Sequence, residues 1–170
     1  MGFAILLPRS RLGQEETELV ARLGESWRSD ADALREPGFR HILFLCVANS
    51  ARSQMAEGIA RDLAPAGVRV SSAGSEPASV RPQAVAALAE IGIDISGHCS
   101  KGVGEVARPV HAVVTLCAEE VCPVWLNDAH RVHWGLPDPA AAVGTAEEQL
   151  DAFREVRDEL RRRLSVVFGR

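Results

Sequence analysis

The sequence predicts a three-layer α/β domain built on a four-stranded parallel sheet, and three observations predict it. Four short apolar runs of strand length alternate with segments of helical periodicity, the order of a chain of βαβ units. The first of these runs, His41-Ile42-Leu43-Phe44-Leu45, passes through a polar loop straight into a helical pattern. A length of 170 residues suffices for one domain with a full-sized core.

Each element has its own signal. Leu19, Leu23, Trp27, Ala31 and Leu34 recur at helical spacing among Glu, Arg and Asp. This N-terminal helical extension, residues 1–38, reads as a helix packed on the domain, or as a dimer arm or partner-binding helix; Pro37-Gly38 ends it and opens the domain at 39–170. Met55, Ile59 and Leu63 form one face of the helix after the first strand. Pro65-Ala66-Gly67 turns the chain into a second strand, Val68–Ser72. The following Ser72-Ala73-Gly74 is either a simple glycine turn or a border of the crevice at the carboxyl ends of the strands. Pro82 starts a helix that Gly92 stops. In the polar stretch 93–101, His98 and Cys99 lack local partners and read as structural. Val110–Leu116 is the third strand, ending at Cys117, and Ala129–Trp134 the fourth, with His130 and His133 structural. Thr145 and Glu148 form a capping box, and Leu150, Phe153, Val156, Leu160 and Leu164 the stripe of the last helix. Its run Arg161-Arg162-Arg163 suits the helix dipole and reads as a solvated face.

Composition narrows the function. A formal charge of −4 gives no sign of a nucleic-acid partner. Phe3–Leu7 is too short for a secretory core, and no apolar run approaches membrane-spanning length, so a cytoplasmic, reducing setting is expected. There, four cysteines do chemistry or bind metal more often than they form static bridges. Cys117-x4-Cys122 has no second pair at zinc spacing, so no metal is expected; two cysteines flanking a loop at a strand end read as redox partners.

The chemistry centres on Cys46. It stands where the first strand ends, and Arg52 and Ser53 open the helix that follows. Unpaired amides and the positive dipole end converge on such a loop, which makes it an anion site. Dipole and guanidinium both favour a thiolate there, and Arg52 can grip a tetrahedral oxyanion with a bidentate fork. The plain alternative, Cys46 as a small buried hydrophobe, leaves this context unused. Asp138-Pro139, taken alone, is an ordinary turn signal.

The run Cys46-Val47-Ala48-Asn49-Ser50-Ala51-Arg52-Ser53-Gln54-Met55-Ala56-Glu57 resembles the phosphate loop of the low-molecular-weight tyrosine phosphatase superfamily, and more narrowly its arsenate reductase branch. The resemblance extends over about residues 40–168 and implies strand order 2-1-3-4 with helices on both faces. It implies that Val47, Ala48, Asn49, Ser50, Ala51, Arg52 and Ser53 hold the oxyanion, that Asn49 fixes the loop and that Ser53 donates to the thiolate. Asp138 would be the general acid, followed by Ala140 where phosphatases carry a tyrosine; the chain has no tyrosine at all. Cys117 and Cys122 match the reductase pair, so the implied function is reduction of arsenate by Cys46 with a disulfide relay. No bound cofactor is expected, thioredoxin being the expected external reductant and arsenate, phosphate or phosphomonoesters the ligands. Cys99 departs from the basic residue usual in relatives and raises the question of off-pathway disulfides. The alternatives are a phosphatase using Cys46, Arg52 and Asp138, a reductase coupled to mycothiol or to glutathione and glutaredoxin, and a non-catalytic oxyanion-binding module.

Overall fold

A computed structural model describes residues 26–118, 122–125 and 127–170. The strands are β1 (His41–Cys46), β2 (Arg69–Gly74), β3 (Ala112–Cys117) and β4 (His130–Leu136). They form one parallel sheet in the order β2-β1-β3-β4, as the resemblance implies. The helices are α1 (26–33), α2 (Arg52–Leu63), α3 (Pro82–Ala89) and α4 (Ala146–Phe168). β1 is buried along its whole length because it runs through the middle of the sheet between two covered faces.

The two faces are covered unevenly. Ile42, Phe44, Val114, Leu116 and Trp134 point to a large core that takes buried residues from all four α-helices, including Met55, Ile59, Leu88, Phe153 and Leu160. Leu43, Leu45 and Val113, one residue out of step and so on the other face, meet Ala73, Val106, Val110 and Trp125. Among the described residues the helical cover of that second face is the 3₁₀ turn Val103–Glu105, whose short, glycine-flanked segment has no room for a full amphipathic helix. β4 alternates buried Val132, Trp134 and Leu136 with exposed neighbours, the pattern of an edge strand with one open side.

α1 is a packed helix over the part described: Trp27, Ala31 and Leu34 are buried in the main core. Leu19 and Leu23 lie outside the described residues. The solvated face expected for Arg161–Arg163 is corrected in part. Arg161 and Arg162 are exposed as expected, the guanidinium of Arg162 also lying 4.5 Å from the Trp27 ring centre, but Arg163 is largely covered, 5.5 Å from Trp27 and 5.7 Å from Trp134. Glu159 holds Arg162 and Arg163 in place, so charge and aromatic faces together seal α1 against α4.

The capping box forms as expected, with Glu148 N–H donating to Thr145 Oγ1 and Thr145 N–H to Glu148 Oε2. At the C-terminal end of α3, Glu90 accepts from Arg154 (2.6 and 3.0 Å) and Arg157 (2.7 Å), which ties α3 to α4. The Arg154 hydrogen bond, opposed by desolvation and reinforced by Arg157, holds the Glu90 carboxyl at about 2, below its ordinary 4.5. A depressed folded-state value means that Glu90 stabilises the fold above the unfolded-state value and loses that contribution as pH falls towards about 2. The Glu90→Gln variant is therefore expected to melt below the wild type near neutral pH. Calorimetric scans from neutral to acid pH should show the two midpoints converging across that window.

Candidate active site

The site grows from the end of β1. Cys46 closes the strand and Val47–Ala51 wrap back over it before α2 begins at Arg52. The loop turns sharply at Asn49, whose φ of 45° is left-handed, a conformation asparagine tolerates better than most residues. Its carbonyls are bonded on the outside: Glu76, Ala78 and Arg81 N–H groups donate to the oxygens of Val47, Ala48 and Ser50 at 2.8–2.9 Å. Ser100 Oγ and Gln54 Nε2 serve the Asn49 oxygen at 2.6 and 3.1 Å. With its carbonyls occupied outside, the loop has its amides left for a ligand. Ala51 at the N-cap of α2 has no side-chain acceptor to compete with an anion for the first-turn amides.

The cavity inside this loop, about 440 Å³, is lined by Cys46, Val47, Ala48, Ser50, Ala51, Arg52 and Asp138. Arg52, 4% exposed, is aimed by its Nη1 donating to the Leu136 carbonyl at 3.0 Å, and its Nη2 lies 3.9 Å from Asp138 Oδ1. Asp138 is partly exposed and accepts from Ala140 N–H at 3.1 Å, which fixes its carboxylate at the rim. A thiol at the floor, a guanidinium on the wall and a carboxyl at the mouth are the parts needed to bind a tetrahedral oxyanion, attack its centre and protonate a departing oxygen.

Asn49 and Ser53 do not line this cavity; they sit beneath it. Lys101 N–H and Gln54 Nε2 donate to Asn49 Oδ1 at 2.9 and 3.0 Å, which fixes the amide orientation. Asn49 Nδ2 then donates to Ser53 Oγ at 2.8 Å and to Ser72 Oγ at 2.9 Å. Ser53 Oγ, which accepts from Asn49, also shares a hydrogen bond with Cys46 Sγ, 2.9 Å away. Ser72 in turn donates to Glu57, a buried carboxylate that also pairs with Arg61 and, at 3.5 Å, with Lys101 Nζ. His98 completes the underside: Nδ1–H donates to Gln54 Oε1 at 2.9 Å and Nε2 accepts from Arg61 at 3.3 Å. Burial chiefly, then Arg61 and Lys101 against the opposing Glu57, push His98 below its ordinary value, in keeping with this neutral tautomer.

Gln54, Glu57, Ser72 and Lys101 are site residues that sequence reasoning missed as such. Ser72 carried one usable signal, its place at the carboxyl end of a strand, and Glu57 another, a carboxylate in the apolar stretch Met55–Ala60; Lys101 carried none. Of the two readings of Ser72–Gly74, bordering the crevice is the one the structure shows. β2 runs on to Gly74, and a Cβ there would stand 2.8 Å from Asn49 N and closer still to the Val47 carbonyl.

Cys117 ends β3, next to β1 in the sheet, and is joined to Cys122 by a disulfide with Cα atoms 5.5 Å apart. Neither lines the cavity that holds Cys46, while the neighbouring Ala118 lines a second cavity that shares Asp138 with the first. Cys99 is exposed and unbridged, its carbonyl accepting from Gln54 at 3.2 Å. Among the described residues no three His, Cys, Asp or Glu side chains are grouped to hold a metal ion, and no helix is long and apolar enough to cross a membrane.

A four-stranded sheet of this order, with an anion loop between β1 and α2 and an Asp-Pro loop after β4, defines a class. Residues 41–169 match the family described as low molecular weight phosphotyrosine protein phosphatase, and the chain belongs to that family. Within it the chain falls among the arsenate reductases. The arsenate reductase of Halalkalibacterium halodurans is 48% identical over 126 residues, covering 72% of this chain and 91% of that protein, and that of Bacillus subtilis is 45% identical with the same coverage. A solved structure of arsenate reductase from Archaeoglobus fulgidus superposes with a TM-score of 0.65 at 30% identity, over 76% of this chain and 99% of that one. A structure described as an arsenate reductase in the phosphate binding state gives 0.62 at 33% identity, over 76% of this chain and 97% of that one.

The contact of Gly74 with the loop backbone makes it a sensitive probe of the cavity. Gly74→Ala must push the Val47–Asn49 backbone inwards, and misplacement on the scale of 1 Å costs roughly a hundredfold in such sites. Phosphate binding by calorimetry is expected to weaken severely, with the thermal midpoint falling far less than for a core truncation.

Proposed function

We propose that this chain reduces arsenate to arsenite with Cys46 as nucleophile and Cys117 and Cys122 as a relay. The observation that carries the reading is the Cys117–Cys122 disulfide at the end of the strand beside Cys46, the bond with which such a relay would finish. The named relatives, all arsenate reductases, support it.

The steps balance as follows. The Cys46 thiolate bonds to As(V) while Arg52 and the amides of the loop residues lining the cavity hold the oxygens, and one oxygen leaves as water with a proton from Asp138. The Cys117 thiolate attacks Cys46 Sγ. The S–As bond breaks, its electron pair stays on arsenic as As(III), and a Cys46–Cys117 disulfide forms. Cys122 then attacks Cys117 Sγ, freeing the Cys46 thiolate and leaving Cys117–Cys122, which an external dithiol such as thioredoxin reduces.

Arsenate-dependent NADPH oxidation, run with a thioredoxin system and separately with mycothiol and glutathione–glutaredoxin systems, tests the reductant. Non-reducing peptide mapping after one equivalent of arsenate tests the relay. Reduced wild type is expected to yield Cys117–Cys122 and Cys122→Ser to accumulate Cys46–Cys117. Full turnover by a Cys117→Ser, Cys122→Ser double variant would assign the chemistry to a small thiol, and turnover of a phosphomonoester without reductant would add a phosphatase activity. Cys99 in the main disulfide would reassign the relay.

Asp138→Asn removes the proton donor and leaves the rest of the cavity in place. Its arsenate turnover is expected to fall by about a hundredfold or more, while phosphate binding by calorimetry holds or tightens as a negative charge leaves the rim.

A further inference from the structure

The opposite end of the sheet carries a second basic cavity, unrelated to the cysteine chemistry. Its volume is about 270 Å³, and its lining comprises Arg40, His41, Arg69, Arg108 and His111 with Gly67 and Pro109. It sits where the strands begin, at the other end of the six-residue β1 from Cys46 and its loop. Strand register builds it: His41 pairs with Arg69 on β2, and His111 N–H donates to the His41 carbonyl from the β3 side, so three adjacent strands present basic side chains in one row. Arg40 precedes β1 and Arg108 reaches in from the loop before β3.

The platform is fixed and its charge is unspent. His41 is 2% exposed, with Nδ1–H donating to the Pro109 carbonyl at 2.8 Å and Nε2 accepting from Ser71 Oγ at 2.9 Å. Arg108 is steadied by donating to Asn127 Oδ1 at 2.8 Å and by lying over the Trp125 ring. Arg40 and Arg69 differ from the arginines of α4: among the described residues their guanidinium groups have no ion-pair or hydrogen-bond partner. Among the described residues no acidic side chain lines the cavity. His111 Nδ1 is buried and likewise without a hydrogen bond, a rare condition in a folded protein unless a further partner supplies it.

We propose that this cavity is a binding site for a small phosphate-bearing anion, a diphosphate or a phosphomonoester. Two unpaired guanidinium forks and a third steadied one match the charge and the tetrahedral oxygens of a phosphoryl group. The volume admits a phosphoryl group with a small organic part and little more. The distance along β1 separates this ligand from the oxyanion at Cys46.

The test is an amide NMR titration of the full-length protein with inorganic pyrophosphate, since it reads both ends of the sheet in one experiment. Two sets of shifts are expected, one around residues 46–53 and an independent one at Arg40, Arg69 and His111. In an Arg40→Gln, Arg69→Gln double variant the second Kd should rise by about tenfold or more, with the first curve and arsenate turnover unchanged. Both residues are exposed, and a single Arg69→Glu variant, with its thermal midpoint checked, repeats the comparison with charge reversal. Adenosine diphosphate and a short single-stranded oligonucleotide are run alongside. Shifts confined to residues 46–53, or a second curve that ignores all these substitutions, would overturn the proposal. So would an oligonucleotide that binds this end more tightly than pyrophosphate with a steep salt dependence, because the site would then read a nucleic-acid backbone.

Discussion

The loop around Cys46 depends on one side chain, the carboxamide of Asn49. An anion loop needs its amides turned inwards, so its carbonyls must find donors outside, and a left-handed residue is needed at the point of reversal. Asn49 supplies the reversal itself, and its amide spends both hydrogens and its oxygen on four different groups. The rest of the domain can be understood as the set of donors and acceptors this arrangement requires. Residues 76–81 cross the outside of the loop to serve its carbonyls, and 100–101 return from the far side of α3 to complete the ring.

Glu57 shows what such an arrangement costs. A carboxylate 2% exposed is expensive unless opposed, and here Ser72, Arg61 and Lys101 all meet it. The lone lysine of the sequence is thus spent on a buried acid, where its flexible, compact ammonium can follow the carboxylate from a neighbouring loop. Through Ser72 the same acid fixes the second hydrogen of Asn49, and through Asn49 and Ser53 it reaches the sulfur of Cys46. Electrostatics deep in the domain and the aim of one hydroxyl at the nucleophile are therefore one network.

Local signals explain why the elements were legible. The fourth strand, the stripe from Leu150 to Leu164 and the Thr145–Glu148 box are written in consecutive residues, and the structure has each of them, the strand running on to Leu136. The loop itself was legible because Cys46, Asn49, Arg52 and Ser53 lie within eight positions of one another. What escaped is what folding brings together from afar. Ser72 is 23 residues from Asn49 and Lys101 is 44 from Glu57, and neither residue type announces a role. Arg163 escaped in the same way: a basic run on a helix looks solvated until Trp27, from a helix more than a hundred residues earlier, lies under it.

Net charge is the bluntest of these signals, because it averages over geometry. A formal charge of −4 excludes a uniformly basic surface and nothing finer. Many acids are committed locally: Glu90, Glu147, Asp151, Asp158 and Glu159 pair with Arg154, Arg157, Arg162 and Arg163 of α4, and Glu57 with Arg61 and Lys101. A parallel sheet then sorts the remainder by strand direction. Every strand starts at one end, so a basic residue placed just before or at each start, as Arg40, Arg69 and His111 are, accumulates with its neighbours into a single patch. The same parallel order that gathers the carboxyl ends of the strands around Cys46 gathers positive charge at their amino ends, and an acidic protein acquires two separate places for anions.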